Sequence, residues 1–169
     1  MFYQDVFEIL DKTKIKYVVA GGVAVAMHGY PRFTKDLDLI VYLETKNLAK
    51  FFDAMTAAGY SPRVPVTKGQ FIDAGQRKKW QKEKGMIVFS FYHRDPPFKA
   101  VDMFVTEPIK FSVLYKKRVK ANAGPLVIPL ISISHLKVLK KKAGRFQDKN
   151  DIIQLTEIER LNRGKYDKG

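Results

Sequence analysis

The chain has 169 residues, 46% of them hydrophobic, and carries 31 lysines and arginines against 17 aspartates and glutamates, a formal net charge of +14. This length suits one domain with a substantial core, the hydrophobic content excludes a disordered chain, and the absence of cysteine excludes disulfides and thiolate metal sites. A field of this sign draws polyanions, so nucleic acid, RNA above all, is the expected partner, with an acidic protein as the alternative.

Taken in order, Phe2, Val6, Phe7 and Leu10 recur at helical spacing and predict a helix over 2–12. The same segment, MFYQDVFEIL, has acidic residues and no basic leader, so no signal peptide is expected. No apolar run approaches the ~20 residues of a membrane span, and the expected location is the cytoplasm. A β-branched strand at Tyr17 to Val19 then runs into Gly21-Gly22, a short helix of small residues at about Val23 to Gly29, a basic turn with Arg32 and Thr34, and a second strand carrying Asp36 and Asp38. Thr45 is the expected N-cap of a helix to Ala58, with Leu48, Phe51, Phe52 and Met55 inward and Gly59 as its stop. SPRVPVTKGQ, with two prolines, reads as a loop or broken edge strand. FIDAGQRKKWQKEK is a basic segment without a clear period. Trp80 and Tyr92, near its lysines, offer base stacking as one role and core filling as the commoner one.

Met86 to Tyr92 and Phe98 to Val105 are strands joined by a turn at HRDPP. In the second, Val101, Met103 and Val105 alternate with Asp102, which therefore faces away from three apolar side chains. A short helix at Ile109 to Lys117 precedes a hairpin around Gly124-Pro125 within 118–131. Ser132 or Ser134 caps a helix through Lys142 whose buried face is Leu136, Leu139 and Ala143. Asp148 and Asp151 fit the N-cap and third positions of a last helix, and GKYDKG is expected to fray.

The chemistry concentrates between Tyr17 and Val41. Asp36 and Asp38 project together from a strand whose Leu37, Leu39 and Val41 turn into the core. Two like charges at the end of a buried strand repel and resist desolvation unless a cation compensates, which points to a divalent metal. The diglycine allows close backbone approach, and the helix after it presents free N–H groups suited to phosphate. No histidine pair has ligand spacing, and there is no P-loop.

Gly21-Gly22, Gly29, Arg32, Thr34 and Asp36-Leu37-Asp38, followed by Asp102 and by Lys140, Arg145, Asp148 and Asp151 in LKVLKKKAGRFQDKNDI, resemble the signature of the nucleotidyltransferase superfamily related to DNA polymerase β, in particular its small stand-alone, AbiEii-like and minimal members. Gly22 stands where many members carry serine. The resemblance implies an α/β (α+β) fold, a small mixed sheet backed by helices. Residues 1–131 would form the core, and a helical segment, 132–169, would close a cleft within the same compact unit. It implies Mg²⁺ or Mn²⁺ on Asp36, Asp38 and Asp102, and an NTP such as ATP held by Gly21, Gly22, Arg32, Thr34, Lys140 and Arg145. The implied reaction is transfer of a nucleoside monophosphate to a hydroxyl, with an RNA 3′ end, tRNA being a natural candidate, as acceptor. Alternatives are an aminoglycoside-like acceptor, a toxin-antitoxin component binding or modifying a partner protein, and a nucleotide- or RNA-binding pseudoenzyme.

Overall fold

In the computed structural model the described residues are 2–95 and 98–166. Pro96 and Pro97 of the expected HRDPP turn, and 167–169 of the expected frayed end, lie outside them. The described chain forms α1 (Gln4–Lys12), β1 (Tyr17–Val19), α2 (Gly21–Met27), β2 (Asp36–Val41), α3 (Thr45–Ala57), β3 (Tyr60–Pro62), α4 (Lys68–Ile72), α5 (Ala74–Lys84), β4 (Val88–His93), β5 (Lys99–Phe104), α6 (Phe111–Lys116), β6 (Val119–Ala123), β7 (Leu126–Leu130), α7 (Ile133–Ala143) and α8 (Phe146–Tyr166). The strands make one seven-stranded sheet in the order β3-β4-β5-β2-β1-β7-β6. It is mixed: β2 pairs with β5, and β1 with β7, in parallel, and the other neighbours are antiparallel. The expected α/β architecture with a mixed sheet and helices is what the chain adopts.

One face of the sheet is a dry core. Leu37 and Leu39 of β2, Val101 and Met103 of β5, and Phe89 and Phe91 of β4 are all buried. Phe51 from α3 and Phe71 from α4 pack edge-on against Phe91, with ring centroids 5.7 and 5.6 Å away. The basic segment resolves into two short helices here. Thr67 and Gln70 form a reciprocal capping box at the start of α4, and Asp73 caps α5. Trp80 of α5 is buried and stacks on Phe89 at 5.5 Å, which removes it from any base-stacking role.

Three local expectations need correction. Glu44, one residue earlier than Thr45, caps α3, its carboxylate accepting from the backbone N–H groups of Lys46 and Asn47. Ala143 is exposed, and the buried place near the end of α7 goes to Lys140. α8 starts at Phe146, so Asp148 is inside the helix and not its cap. Ser132, the hairpin of β6 and β7 and the short helix α6 follow the sequence reading.

Candidate active site

Parallel pairing of β2 with β5 sets Asp38 directly opposite Asp102, and Asp36 opposite Ala100. Both acids thus leave the sheet on the face away from the leucines, on strands about 4.8 Å apart. One strand further, Ser90 of β4 stands opposite Asp102, so Asp38, Asp102 and Ser90 form a polar row across three strands. Asp38 and Asp102 border a cleft of about 680 Å³ that Gly21 enters from one side and α7 and the start of α8 close from the other, through Leu136, Lys140, Arg145 and Asp148.

Burial pushes the Asp38 carboxyl up to about 6, with Asp102 and Asp36 adding to the shift and Arg145 and Lys140 opposing it. Asp102 is also raised, by burial first; Ser90 and Arg63 work against that, and Asp36 with it. Two acids that are costly to ionise face each other, and the buried Oδ1 of Asp102 has no hydrogen-bond partner. A hard divalent cation satisfies this donor set, in which every ligand atom is a carboxylate oxygen. The expected convergence is tighter for two of the acids than for three. Asp36 stands one pleat back and is exposed, and among the described residues no three acidic or histidine side chains are grouped closely enough to hold an ion as placed.

Around the pair, Tyr3 pins the start of α1 to the site. Its single O–H lies between two carbonyl acceptors, Ala100 at 2.9 Å and Lys35. Its pKa is pushed up to about 12, by burial and then by the three aspartates, against the bond to Ala100. Arg63 lies over the Tyr92 ring, 5.5 Å from its centroid. Ser90, Arg63 and Tyr3 are absent from the sequence-derived site. A pairing partner two strands away has no local signature, although Ser90 lies in an apolar strand where a polar residue was the available hint.

The glycines earn their places by contact. Gly21 has φ +62°, and a Cβ there would fall 1.8 Å from Asp38 Oδ2. At Gly22 a Cβ would fall 2.0 Å from Arg32 Nη1 and 2.9 Å from the Thr34 hydroxyl. The guanidinium of Arg32 fills the space a serine would occupy. Arg32 does not pair with Asp36: its Nε lies 3.1 Å from Asp151 Oδ1, without hydrogen-bond alignment. Thr34 turns back to the Asp36 carbonyl at 3.4 Å. A Gly22→Ser variant is therefore expected to lose about 1–2 kcal/mol by displacing Arg32 from Asp151. Thermal unfolding checks this, and adding Arg32→Ala should recover part of the loss.

The C-terminal basic motif is a buried ion network. Lys140, 4% exposed, donates to Asp148 at 3.1 Å and Asp151 at 2.6 Å, and Arg145 Nε reaches Asp148 at 2.9 Å. Both aspartates are core ion partners, and Asp148, at the third position of α8, also accepts from the backbone N–H of Arg145 at 3.2 Å, which keeps part of the expected capping role. Lys140 is committed to them, whereas the Arg145 side chain is 74% exposed at the cleft wall.

The arrangement is that of a nucleotidyltransferase fold. The lincosamide antibiotic adenylyltransferase LnuA, solved with lincomycin bound, superposes with a TM-score of 0.62 at 16% identity, over 93% of this chain and 94% of that one. ANT(2″)-Ia in complex with adenylyl-2″-tobramycin gives 0.61 at 10% identity, over 98% and 97%. A putative nucleotidyltransferase from Thermotoga maritima gives 0.57 at 15% identity, over 96% and 91%. No family model and no curated protein matches the sequence. Among the described residues no helix is long and apolar enough to cross a membrane.

Proposed function

We propose that the protein moves a nucleoside monophosphate from an NTP to a hydroxyl group, with release of pyrophosphate. The observation that carries this reading is the opposed Asp38 and Asp102 pair beside Gly21, on the floor of a cleft whose other wall presents Arg145. Asp38 and Asp102, with Asp36 from one pleat back, would hold Mg²⁺ or Mn²⁺. Bound there, divalent ions neutralise charge on the attacking and leaving oxygens. Asp102, with an oxygen unpartnered, accepts or orients the proton of the acceptor hydroxyl. Gly21 and Gly22 allow the phosphates close to the backbone, with Arg32 and Thr34 at the edge of that turn. Arg145, bonded to Asp148 yet largely exposed at the cleft wall, is placed to meet the triphosphate, and Lys140 acts by holding Asp148.

For the acceptor, charge favours an RNA 3′ end, tRNA being a natural candidate. The exposed Lys78, Lys79, Lys82 and Lys84 lie on α5, whose Gln81 borders the cleft, and Lys142 borders it from α7. A second reading, a small hydroxylated molecule, is favoured by the likeness in fold to LnuA and ANT(2″)-Ia and by a cleft within the size range of small-molecule sites.

The test incubates the protein and its Asp36→Ala and Asp102→Ala variants with each labelled NTP, Mg²⁺ and either total RNA or hydroxylated antibiotics. Label on RNA that both substitutions abolish supports the first reading, and label on the small molecule alone supports the second. Label on a co-encoded protein moves the chain to a toxin-antitoxin role. Nucleotide binding without transfer makes it a pseudoenzyme and overturns the transferase reading.

A further inference from the structure

At the opposite end of β1 from Gly21, the chain surrounds a second recess of about 330 Å³. Its lining is set by α1, the start of β1, the end of α6 and the β6-β7 hairpin, none of which contributes a carboxylate to the cleft. Four cations line it, Lys14, Lys16, Arg118 and Lys120, against one carboxylate, Asp11. Asp11 takes up one of them, at 3.2 Å from Lys14 Nζ, and three positive charges remain in excess.

Two further observations mark this recess as more than a crease. Tyr17 is 5% exposed and lines it, yet its hydroxyl makes no hydrogen bond to any described residue. The other deeply buried tyrosines use theirs: Tyr3 donates to Ala100 and Tyr60 to Asp5 at 3.2 Å. The Tyr17 ring is buried while the hydroxyl at its tip still reaches the recess, so a donor with no protein partner faces a ligand that enters there. Burial, then Asp11 and Tyr115, raise its pKa above the usual phenol range, so it remains a donor.

The second observation is backbone. Lys14, φ 53°, is the one non-glycine residue with positive φ among the described residues. It follows α1 in the position where a helix ends left-handed, and the N–H of Ile15 closes the turn on the Leu10 carbonyl at 3.1 Å. Glycine sits there without strain, whereas lysine bears it and sets an ammonium at the rim. Across from it, the Arg118 guanidinium lies over the Tyr115 ring, 3.8 Å from the centroid, and donates to the Tyr115 carbonyl, which leaves its other N–H groups to a ligand.

We infer that this recess binds a small phosphate ester of mononucleotide size, with the phosphate on Tyr17, Arg118 and the lysines and the organic part against Leu126 and Val127 of the hairpin. The excess charge matches a phosphate dianion, and the volume lies at the lower end of the range for small-ligand sites. Forked guanidinium donors suit phosphate oxygens. The site stands apart from the cleft and does not depend on the transferase reading.

The test follows backbone amides by NMR in the labelled full chain, without divalent ions and at physiological ionic strength, during titration with AMP and in parallel with inorganic phosphate. The expected result is a saturable shift of amides in 14–17 and 115–120, with AMP tighter than phosphate. Tyr17→Phe removes one oxygen that has no protein partner, so the fold should be unaffected while AMP binds about 10-fold more weakly. Lys14→Gly should raise the melting temperature and weaken AMP about threefold. Non-saturating shifts, or an unchanged affinity in Tyr17→Phe, overturn the proposal. So does equal affinity for phosphate and AMP. Shifts confined to 20–22 and 36–38 overturn it too, while leaving the cleft's proposed chemistry intact.

Discussion

Replacing Lys140 with methionine is expected to cost the fold about 3–5 kcal/mol, a fall in melting temperature on the order of 10 °C for a chain of this size. The size follows from what the ammonium holds. Asp148 and Asp151 are buried on α8, and Lys140 binds both, at 3.1 and 2.6 Å. Methionine has nearly the same volume, so packing survives and the two carboxylates lose their shared cation. Arg32 and Arg145 remain beside them but cannot replace it, since Arg32 meets Asp151 without good alignment and Arg145 is largely in solvent. The pH dependence gives a second readout. Burial works to raise Asp148, and the bonds from Arg145 and Lys140 outweigh it, leaving its carboxyl below the ordinary range. Its contribution to wild-type stability is therefore present above the unfolded pKa, about 3.9, and is lost as pH falls through the lower folded value. In the variant the part owed to Lys140 is gone while the bond from Arg145 stays, so the gap between the two proteins should narrow in acid. Adding Asp148→Asn and Asp151→Asn to Lys140→Met should cost less than the separate effects summed, because all three belong to one network. An unchanged melting temperature in Lys140→Met would show that the ammonium is free, available to phosphate as the sequence motif suggested.

That network also marks where sequence reading stops. The faces of Asp38 and Asp102 were legible because strand alternation is local: Leu37 and Leu39 flank the one, Val101 and Met103 the other, and these apolar neighbours fix each side. The pairing of Asp38 with Asp102 needed only that two such strands be adjacent, and the sheet supplies this. Arg32 and Asp151 are separated by 119 positions, and their contact depends on how α8 crosses the basic turn, which no local period encodes. Asp148 was read only in part, for a related reason. An acid near a helix start is a good cap, and only packing against α7 turns it inward onto Lys140. Trp80 misled in the opposite sense. Alone in a lysine-rich helix it has no apolar periodicity around it, and its burial comes from Phe89 on another element.

The second large effect is at Asp38, where one substitution should strengthen the metal-free fold and abolish the proposed chemistry. Burial, then Asp102 and Asp36, hold the Asp38 carboxyl up at about 6, whereas an unfolded aspartate titrates near 3.9. The native state thus binds the proton more tightly, and ionisation weakens the fold, progressively as pH rises from about 4 to 6 and fully above that. The cost at pH 8 is at most about 3 kcal/mol. Asparagine keeps the shape without the charge. Asp38→Asn should therefore unfold up to about 8 °C higher than wild type at pH 8 in the absence of divalent ions, the gain shrinking as pH falls from 6 to 4. Adding Mg²⁺ should reverse the order, since the ion stabilises only the protein that retains both opposed carboxylates. In the same variant, transfer should fall about 10³-fold or more, the equivalent of about 4 kcal/mol of lost charge stabilisation. Calorimetry with and without Mg²⁺ and single-turnover transfer separate the two effects. A variant that is less stable without metal, yet gains as much from Mg²⁺ as wild type, would mean that the repulsion between Asp38 and Asp102 is relieved by something other than a bound cation.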